Sequence, residues 1–223
     1  SLQLFENPDL LYTLSLSRAT MMWSNRDLTN FEYIMILNQY GGRSFSDLSQ
    51  YPIFPWVISD YDSESYPQTM RDLSLPMGQI GEERARMFNE TYEMQQTYLY
   101  GAHYSMAASV HFFMSRIVPF TFFEWDLHEG WDNIDRMFLE IKHCWVNSSE
   151  DNSNDVKELI PEFFCYPEFL RDSNNFGINH VVLPPYAKSP EQFVFINREC
   201  LEKVEIEKWI DLIFGYQQTG PAA

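Results

Sequence analysis

The sequence predicts a mainly α-helical fold in which helices pack around a core of irregular, extended segments. Three observations carry that expectation. Apolar runs begin at helix-capping signals, as where Thr29-x-x-Glu32 overlaps the run Phe31–Leu37 and where Ser189-Pro190-Glu191-Gln192 opens a later one. Prolines break two aromatic-rich stretches, Tyr51–Trp56 and Pro161–Leu170, whose spacing fits neither a helix nor a strand. The chain also carries 18 Phe, 13 Tyr and 6 Trp against 9 Gly. A ring side chain buries roughly 150–250 Å², so most of these rings belong to a large core.

In chain order, Leu10, Leu11, Leu14, Leu16 and Met21 give a first helix over residues 8–23. The second starts at the Thr29 capping box and stops at Gly41-Gly42. From Arg43 to Tyr61 each proline removes a backbone donor and holds the residue before it, Tyr51 or Phe54, extended. Its composition asks for burial, and buried backbone groups need partners. Asn38, Arg43, Asp47, Gln50 and Asp60 are local candidates, with Arg71-Asp72 brought in from the next segment. Residues 43–61 are thus expected to be buried without regular structure.

Residues 62–78 read as loop and Glu82 to Met94 as a short helix. His103–Val118 reads as a long apolar helix stopped by Pro119, and Phe120–Gly130 as an irregular aromatic segment. Trp131–Val146 reads as a helix with Asp132 and Asp135 in its first turn, where negative charge suits the dipole. A polar loop over 147–154 precedes a short helix at Val156–Ile160 and the extended, proline-broken PEFFCYPEF. Residues 173–175 form a turn and Val181–Pro185 an extended run. Helices then run to about Lys203 and from Glu205 to Phe214. With no repeat, low-complexity tract or composition break, residues 1–223 read as a single domain.

The net charge of −17 is spread along the chain, which describes a solvating surface. It disfavours nucleic acid, whose affinity comes largely from Lys and Arg on phosphates, and direct binding to anionic lipid. Cys144, Cys165 and Cys200 form no Cys-x-x-Cys pair, a pattern that suits a reducing, cytoplasmic setting more than a disulfide framework or zinc site. No apolar stretch reaches about 18 residues.

No catalytic constellation stands out. Glycine-rich phosphate loops, a G-x-S-x-G elbow and an H-E-x-x-H helix are absent from the sequence. His103 and His111 are eight apart but have no carboxylate at a matching turn, so no metal or cofactor site is expected. His143 and Cys144 diverge on a helix and make a poor nucleophile–base dyad. His128-Glu129 is a conceivable acid–base pair. Glu124, Asp126 and Glu129, beside Trp125 and Trp131, are the one group that would suit a carboxylate-dependent hydrolase. A helix-entry segment explains that group as well. Asp155, Glu158 and Glu162 read as solvating or capping charges.

The stretch NFEYIMILNQYGGRSFSDLSQYPIFPWVISDY, residues 30–61, resembles the signature of the BEACH domain. The likeness continues through Arg71-Asp72-Leu73-Ser74, Tyr100-Gly101-x-His103-Tyr104-Ser105 and Asp135-Arg136-Met137-Phe138. Its longest later match is Asp155-Val156-Lys157-Glu158-Leu159-Ile160-Pro161-Glu162-Phe163-Phe164, and it extends to Leu183-Pro184-Pro185-Tyr186-Ala187 and Trp209-Ile210-Asp211-Leu212-Ile213-Phe214-Gly215-Tyr216. Two departures stand out: Gln217 follows Tyr216 where family members often carry Lys, and the chain ends after Gly220-Pro221, short of the family's usual C-terminal part.

The resemblance implies a mainly α BEACH-type fold without enzyme activity or cofactor. It implies a scaffold of membrane traffic, in vesicle fusion or fission, lysosome-related organelles, autophagy or receptor traffic. A PH-like domain and WD repeats are expected as neighbours in the parent protein. The implied partners are the adjacent PH-like domain and other trafficking proteins, with membrane association indirect and peripheral. Aromatic and Arg side chains are enriched at binding hot spots, which makes Arg43, Tyr51, Trp56, Tyr61 and Arg71 the interface candidates. Arg43 or Arg71 is alternatively an internal partner of Asp47, Asp60 or Asp72. Without its neighbours the isolated chain is expected to leave an apolar patch uncovered.

Overall fold

A computed structural model describes residues 14–150 and 155–222. The described residues contain nine α-helices: α1 (Leu16–Ser24), α2 (Asn30–Tyr40), α3 (Glu82–Gln95), α4 (Ala107–Met114), α5 (Phe120–His128), α6 (Ile141–Ser149), α7 (Glu162–Cys165), α8 (Pro190–Lys203) and α9 (Glu207–Ile213). Strand pairing among them is limited to three isolated bridges. This is the mainly α fold with an irregular extended core that the sequence predicts.

The best-marked helices form for the expected reasons. At the start of α2, Thr29 Oγ1 accepts from the Glu32 amide at 3.2 Å while Glu32 Oε2 accepts from the Thr29 amide at 2.8 Å. Two orphan donors of the first turn are thereby satisfied. Gly41 caps the other end, and Gly42 turns the chain away at φ +76°, a conformation that glycine adopts without a Cβ penalty. Helix α8 opens on Ser189 Oγ, which accepts from the Gln192 amide, with Pro190 at its first position. It packs on α7 and α2. The part of the first expected helix before residue 14 lies outside the described residues, and α1 covers the remainder.

Between these helices runs the irregular core. Residues 51–58 and Tyr61 are buried, with Phe54, Trp56, Val57 and Ile58 fully so. Their backbone is satisfied without a sheet. Phe54 and Leu159 exchange both amide–carbonyl bonds at 2.9 Å. The Ile53 amide donates to Asn38 Oδ1 at 2.8 Å, and Asn38 Nδ2 returns a bond to the Ile53 carbonyl at 2.9 Å. The Trp56 amide donates to Glu158 Oε2 at 3.1 Å, and the Arg71 amide to the Val57 carbonyl at 2.9 Å. Each of these groups thus finds a specific partner outside any sheet. Around this strip the rings interlock, with Trp56 5.4 Å from Trp145 and Phe163 4.9 Å from Phe113 and 4.8 Å from Phe169.

Several local expectations are corrected. Residues 44–50 are exposed or half-buried and carry a 3-10 turn, Leu48–Gln50, capped by Asp47, so burial within 43–61 is confined mainly to 51–58 and Tyr61. Asp47 spends its side chain on that turn and does not serve the core. Val156–Ile160 is extended instead of helical, because Ile160 precedes proline and Leu159 pairs with Phe54. The helix begins after Pro161, and PEFFCYPEF becomes α7 followed by the 3-10 turn Pro167–Leu170.

Helix α4 is shorter than His103–Val118. Residues 103–106 stay outside it, where the His103 ring closes a local turn on the Ser105 backbone. Phe120–His128 is helix α5, not irregular. Of Trp131–Val146 only the end is α-helical, after a 3-10 turn at Ile134–Arg136, since Leu139 and Ile141 give their backbone to Val182 in a parallel bridge. Helix α6 then continues into the expected loop as far as Ser149, and residues 151–154 lie outside the described residues.

Candidate functional site

Four of the five interface candidates lie inside the chain. Trp56, Tyr61, Tyr51 and Arg71 are buried. Arg71 donates from Nη1 to both oxygens of Glu158, at 2.9 and 2.7 Å, and from Nη2 to the Leu75 carbonyl at 2.9 Å. Its internal partner is therefore Glu158, not Asp47, Asp60 or Asp72. Trp209 Nε1 also donates to Glu158 Oε1, at 3.0 Å. The Trp56 indole donates to the Lys157 carbonyl at 3.0 Å. Burial pushes the Tyr61 hydroxyl well above its ordinary range, so it stays protonated within the Trp56–Trp145 cluster. These side chains order the irregular strip from within.

Arg43 is half-buried and bridges to a separate segment. Its Nη1 donates to the Tyr51 carbonyl and to Ser105 Oγ, both at 2.9 Å, and its guanidinium lies 6.0 Å from the Tyr104 ring centroid. Tyr51, next along, points its hydroxyl to Glu162 Oε1 at 2.7 Å. Burial first, and the neighbouring Glu162 carboxyl second, raise that phenol far above its usual value.

Glu162 leads to the surface. It lines a cavity of about 980 Å³ bounded by α7, α8 and the segment holding Phe45. Met114, Ile117 and Phe164 give the cavity apolar lining, and Phe45, Tyr166 and Phe195 stand at its open side. Phe195 is 62% exposed although it sits mid-helix on α8. Glu162 itself is only 7% exposed, and its second oxygen, Oε2, is buried with no hydrogen-bond partner. Burial holds this carboxyl above the ordinary carboxylate range, offset in part by the Tyr51 hydroxyl. Cys165, an exposed residue of the same groove, donates its thiol to the Pro161 carbonyl at 3.2 Å, and desolvation by the packed groove wall together with Glu162 pushes that thiol up to about 12, so it is not a ready nucleophile.

The cations of the groove are already engaged. Arg198 donates from Nε to Glu202 Oε1 at 2.8 Å and stacks 3.9 Å over the Phe31 ring. Glu202 in turn accepts from the Asn30 amide at 2.6 Å, satisfying a free donor at the start of α2. Lys203 donates to the Tyr66 hydroxyl at 2.8 Å. The groove is not visible in the sequence, where Glu158 and Glu162 read as solvating or capping charges. The one signal available was their setting in ELIPEFF, where two carboxylates interrupt an otherwise apolar run.

The hydrolase group is not assembled as expected. Glu124 lines a second cavity of about 550 Å³, whereas Asp126 and Glu129 are exposed and take no part in lining it. His128 Nε2 faces Glu124 at 3.6 Å and Asp132 at 3.8 Å, and the expected His128–Glu129 pairing does not form. His111 packs its ring against Phe120 and Phe123, and the His103 ring lies against Tyr104. Cys144 is buried, its thiol pushed up to about 12. Among the described residues no group of His, Cys, Asp and Glu could hold a metal ion, and no helix is long and apolar enough to cross a membrane.

Fold and groove together define a helical domain built on an irregular core, with an open aromatic-rimmed cleft of the kind that takes a binding partner. The Beige/BEACH domain model matches residues 21–223, and the chain belongs to that family. It is 43% identical over 232 aligned positions to the BEACH domain-containing protein lvsE of Dictyostelium discoideum, covering 93% of this chain and 11% of that protein. It is 42% identical over 224 positions to a putative neurobeachin homolog of Caenorhabditis elegans, covering 90% of this chain and 9% of that protein. The chain thus spans about a tenth of the length of the relatives it matches.

Proposed function

We propose that this chain is the non-enzymatic, protein-binding BEACH domain of a large scaffold protein acting in membrane traffic. The processes it would serve are vesicle fusion or fission, lysosome-related organelles, autophagy or receptor traffic. Family membership supports the class, and the short share of the relatives' length supports a larger parent in which a PH-like domain and WD repeats are the expected neighbours. The observation that carries the reading is the groove, where exposed Phe45, Tyr166 and Phe195 rim a cleft over the buried Glu162 carboxyl. Exposed aromatics around a cleft are the usual anchors of protein recognition. The acidic surface fits a cytoplasmic domain that reaches membranes through its parent, not through its own contact with anionic lipid. Tyr51 would belong to this site from beneath, as the residue that positions Glu162, and Arg43 at its flank.

The test is made in cells with the full-length parent. Phe195→Glu places a charge on an exposed position and leaves the core intact. We expect it to abolish recruitment of the protein's binding partners and to slow uptake and recycling of a labelled surface receptor, with an unchanged melting curve for the isolated domain. Normal receptor traffic in cells lacking the parent altogether would refute the trafficking role.

A further inference from the structure

We infer that the occupant of the groove is a partner polypeptide segment that lays an apolar face on Phe45, Tyr166 and Phe195 and offers a lysine or arginine side chain to Glu162. The inference rests on reading the groove as the binding surface and goes on to say what it binds.

The unfilled valence is the first reason. Glu162 Oε1 is taken by the Tyr51 hydroxyl, while Oε2 is buried in the groove lining with no donor. Buried polar atoms of folded proteins are nearly always paired, so an arriving donor completes the site.

Charge is the second. Arg198 is held by Glu202 and the Phe31 ring, and Lys203 by Tyr66. Glu162 and Glu199 make no ion pair among the described residues. The groove lining carries Glu162, Glu199 and Glu202 against Arg198 and Lys203, so its balance is negative, on a chain of net −17. A cationic side chain is complementary to it, whereas a phosphate or carboxylate ligand meets repulsion. Exposed rings at the rim add a further attraction for a cation. The same charge disfavours a second copy of this chain as the occupant.

Shape is the third. The groove runs beside α8, whose 14 residues span roughly 21 Å. The part of α8 that lines it, residues 195–203, spans roughly 12 Å, room for about two turns of an amphipathic helix or a short extended segment with anchors at successive turns.

A phage-displayed random peptide library, panned on the immobilised chain, tests this directly. Selected peptides are expected to carry paired large apolar residues and a Lys or Arg. Their affinity should fall at least tenfold on Phe195→Glu and on Glu162→Gln, and at least tenfold when the basic residue is replaced by norleucine. Peptides lost on Phe195→Glu but indifferent to Glu162→Gln would overturn the basic-anchor inference and leave the groove as the binding surface. Peptides indifferent to Phe195→Glu, or no selection at all, would overturn both. A dimer of the chain in light scattering that Phe195→Glu dissolves would assign the groove to self-association and likewise overturn the inference.

Discussion

Arg71 and Glu158 form an ion pair at 2.7 Å across 87 residues of sequence, with side-chain exposures of 1% and 2%. Glu158 also accepts from the Trp56 amide and the Trp209 indole, so its two oxygens take four hydrogen bonds from three donors on three separate segments. This is how a carboxylate becomes tolerable in an apolar core, since its desolvation is offset by charge and by hydrogen bonds together. Removing one member leaves the other buried and uncompensated. Arg71→Ala is therefore expected to cost about 3–5 kcal/mol, a large part of the roughly 5–15 kcal/mol that stabilises a domain. Arg71→Met combined with Glu158→Leu should be less damaging than either alone. Urea midpoints of the four proteins measure this, and additive losses would contradict a coupled pair.

Asn38 offers a sharper probe of the irregular strip. Its amide reads the Ile53 backbone in both directions, at 2.8 and 2.9 Å, and also donates to the Ile34 carbonyl at 2.9 Å. Asn38→Leu keeps the volume and deletes these bonds. Each buried backbone group left without a partner costs about 1–3 kcal/mol, so the substitution should lower stability by at least about 2 kcal/mol. Amide exchange at Ile53 should accelerate more than exchange in α8. Uniform acceleration would mean that Asn38 does not hold this segment specifically.

The contrast between Asn38 and Glu158 shows how much of this molecule was legible beforehand. The Thr29–Glu32 cap, the Gly41-Gly42 stop and the Ser189-Pro190 entry of α8 are decided by bonds within four or five residues, and the structure has them where the sequence puts them. Asn38 was a local candidate for the strip and is one of its partners. Glu158 and Glu162 read as solvating or capping charges in the sequence, because nothing within a few residues reveals that Arg71 and Tyr51 arrive from 87 and 111 positions away. The same holds for Val156–Ile160, whose extended form is imposed by pairing with Phe54. The groove was illegible for that reason: its walls come from segments that meet only in the fold.

Glu162 should also mark itself through pH. Burial raises its carboxyl above the ordinary range, so the folded chain binds this proton more tightly than the unfolded chain does. Its contribution to stability is full below the unfolded value and is lost as pH rises through the folded one. Glu162→Gln keeps an acceptor for Tyr51 and cannot ionise. Relative to wild type, the variant should gain stability as pH rises from acid through the raised value, read from urea midpoints across a pH series. Parallel pH curves for the two proteins would contradict a raised carboxyl at this position.

Helix α5 carries a second apolar surface, separate in chemistry from the groove. Phe122, Phe123, Trp125 and Leu127 are each about half exposed or more, with Leu127 at 74%. Thr121 alone on this helix is buried, its hydroxyl donating to the Ser115 carbonyl at 2.7 Å. Four large apolar side chains crowded on one nine-residue helix exceed the scattered exposure of an ordinary surface. The isolated domain should therefore enhance the fluorescence of a hydrophobic dye and show weak, concentration-dependent association in light scattering. Phe122→Lys with Leu127→Lys should lower the dye signal several-fold at an unchanged melting temperature, and Phe195→Glu should lower it less, because it alters one exposed apolar side chain instead of two. A dye-silent, strictly monomeric wild type would mean that these side chains do not form a continuous patch in solution.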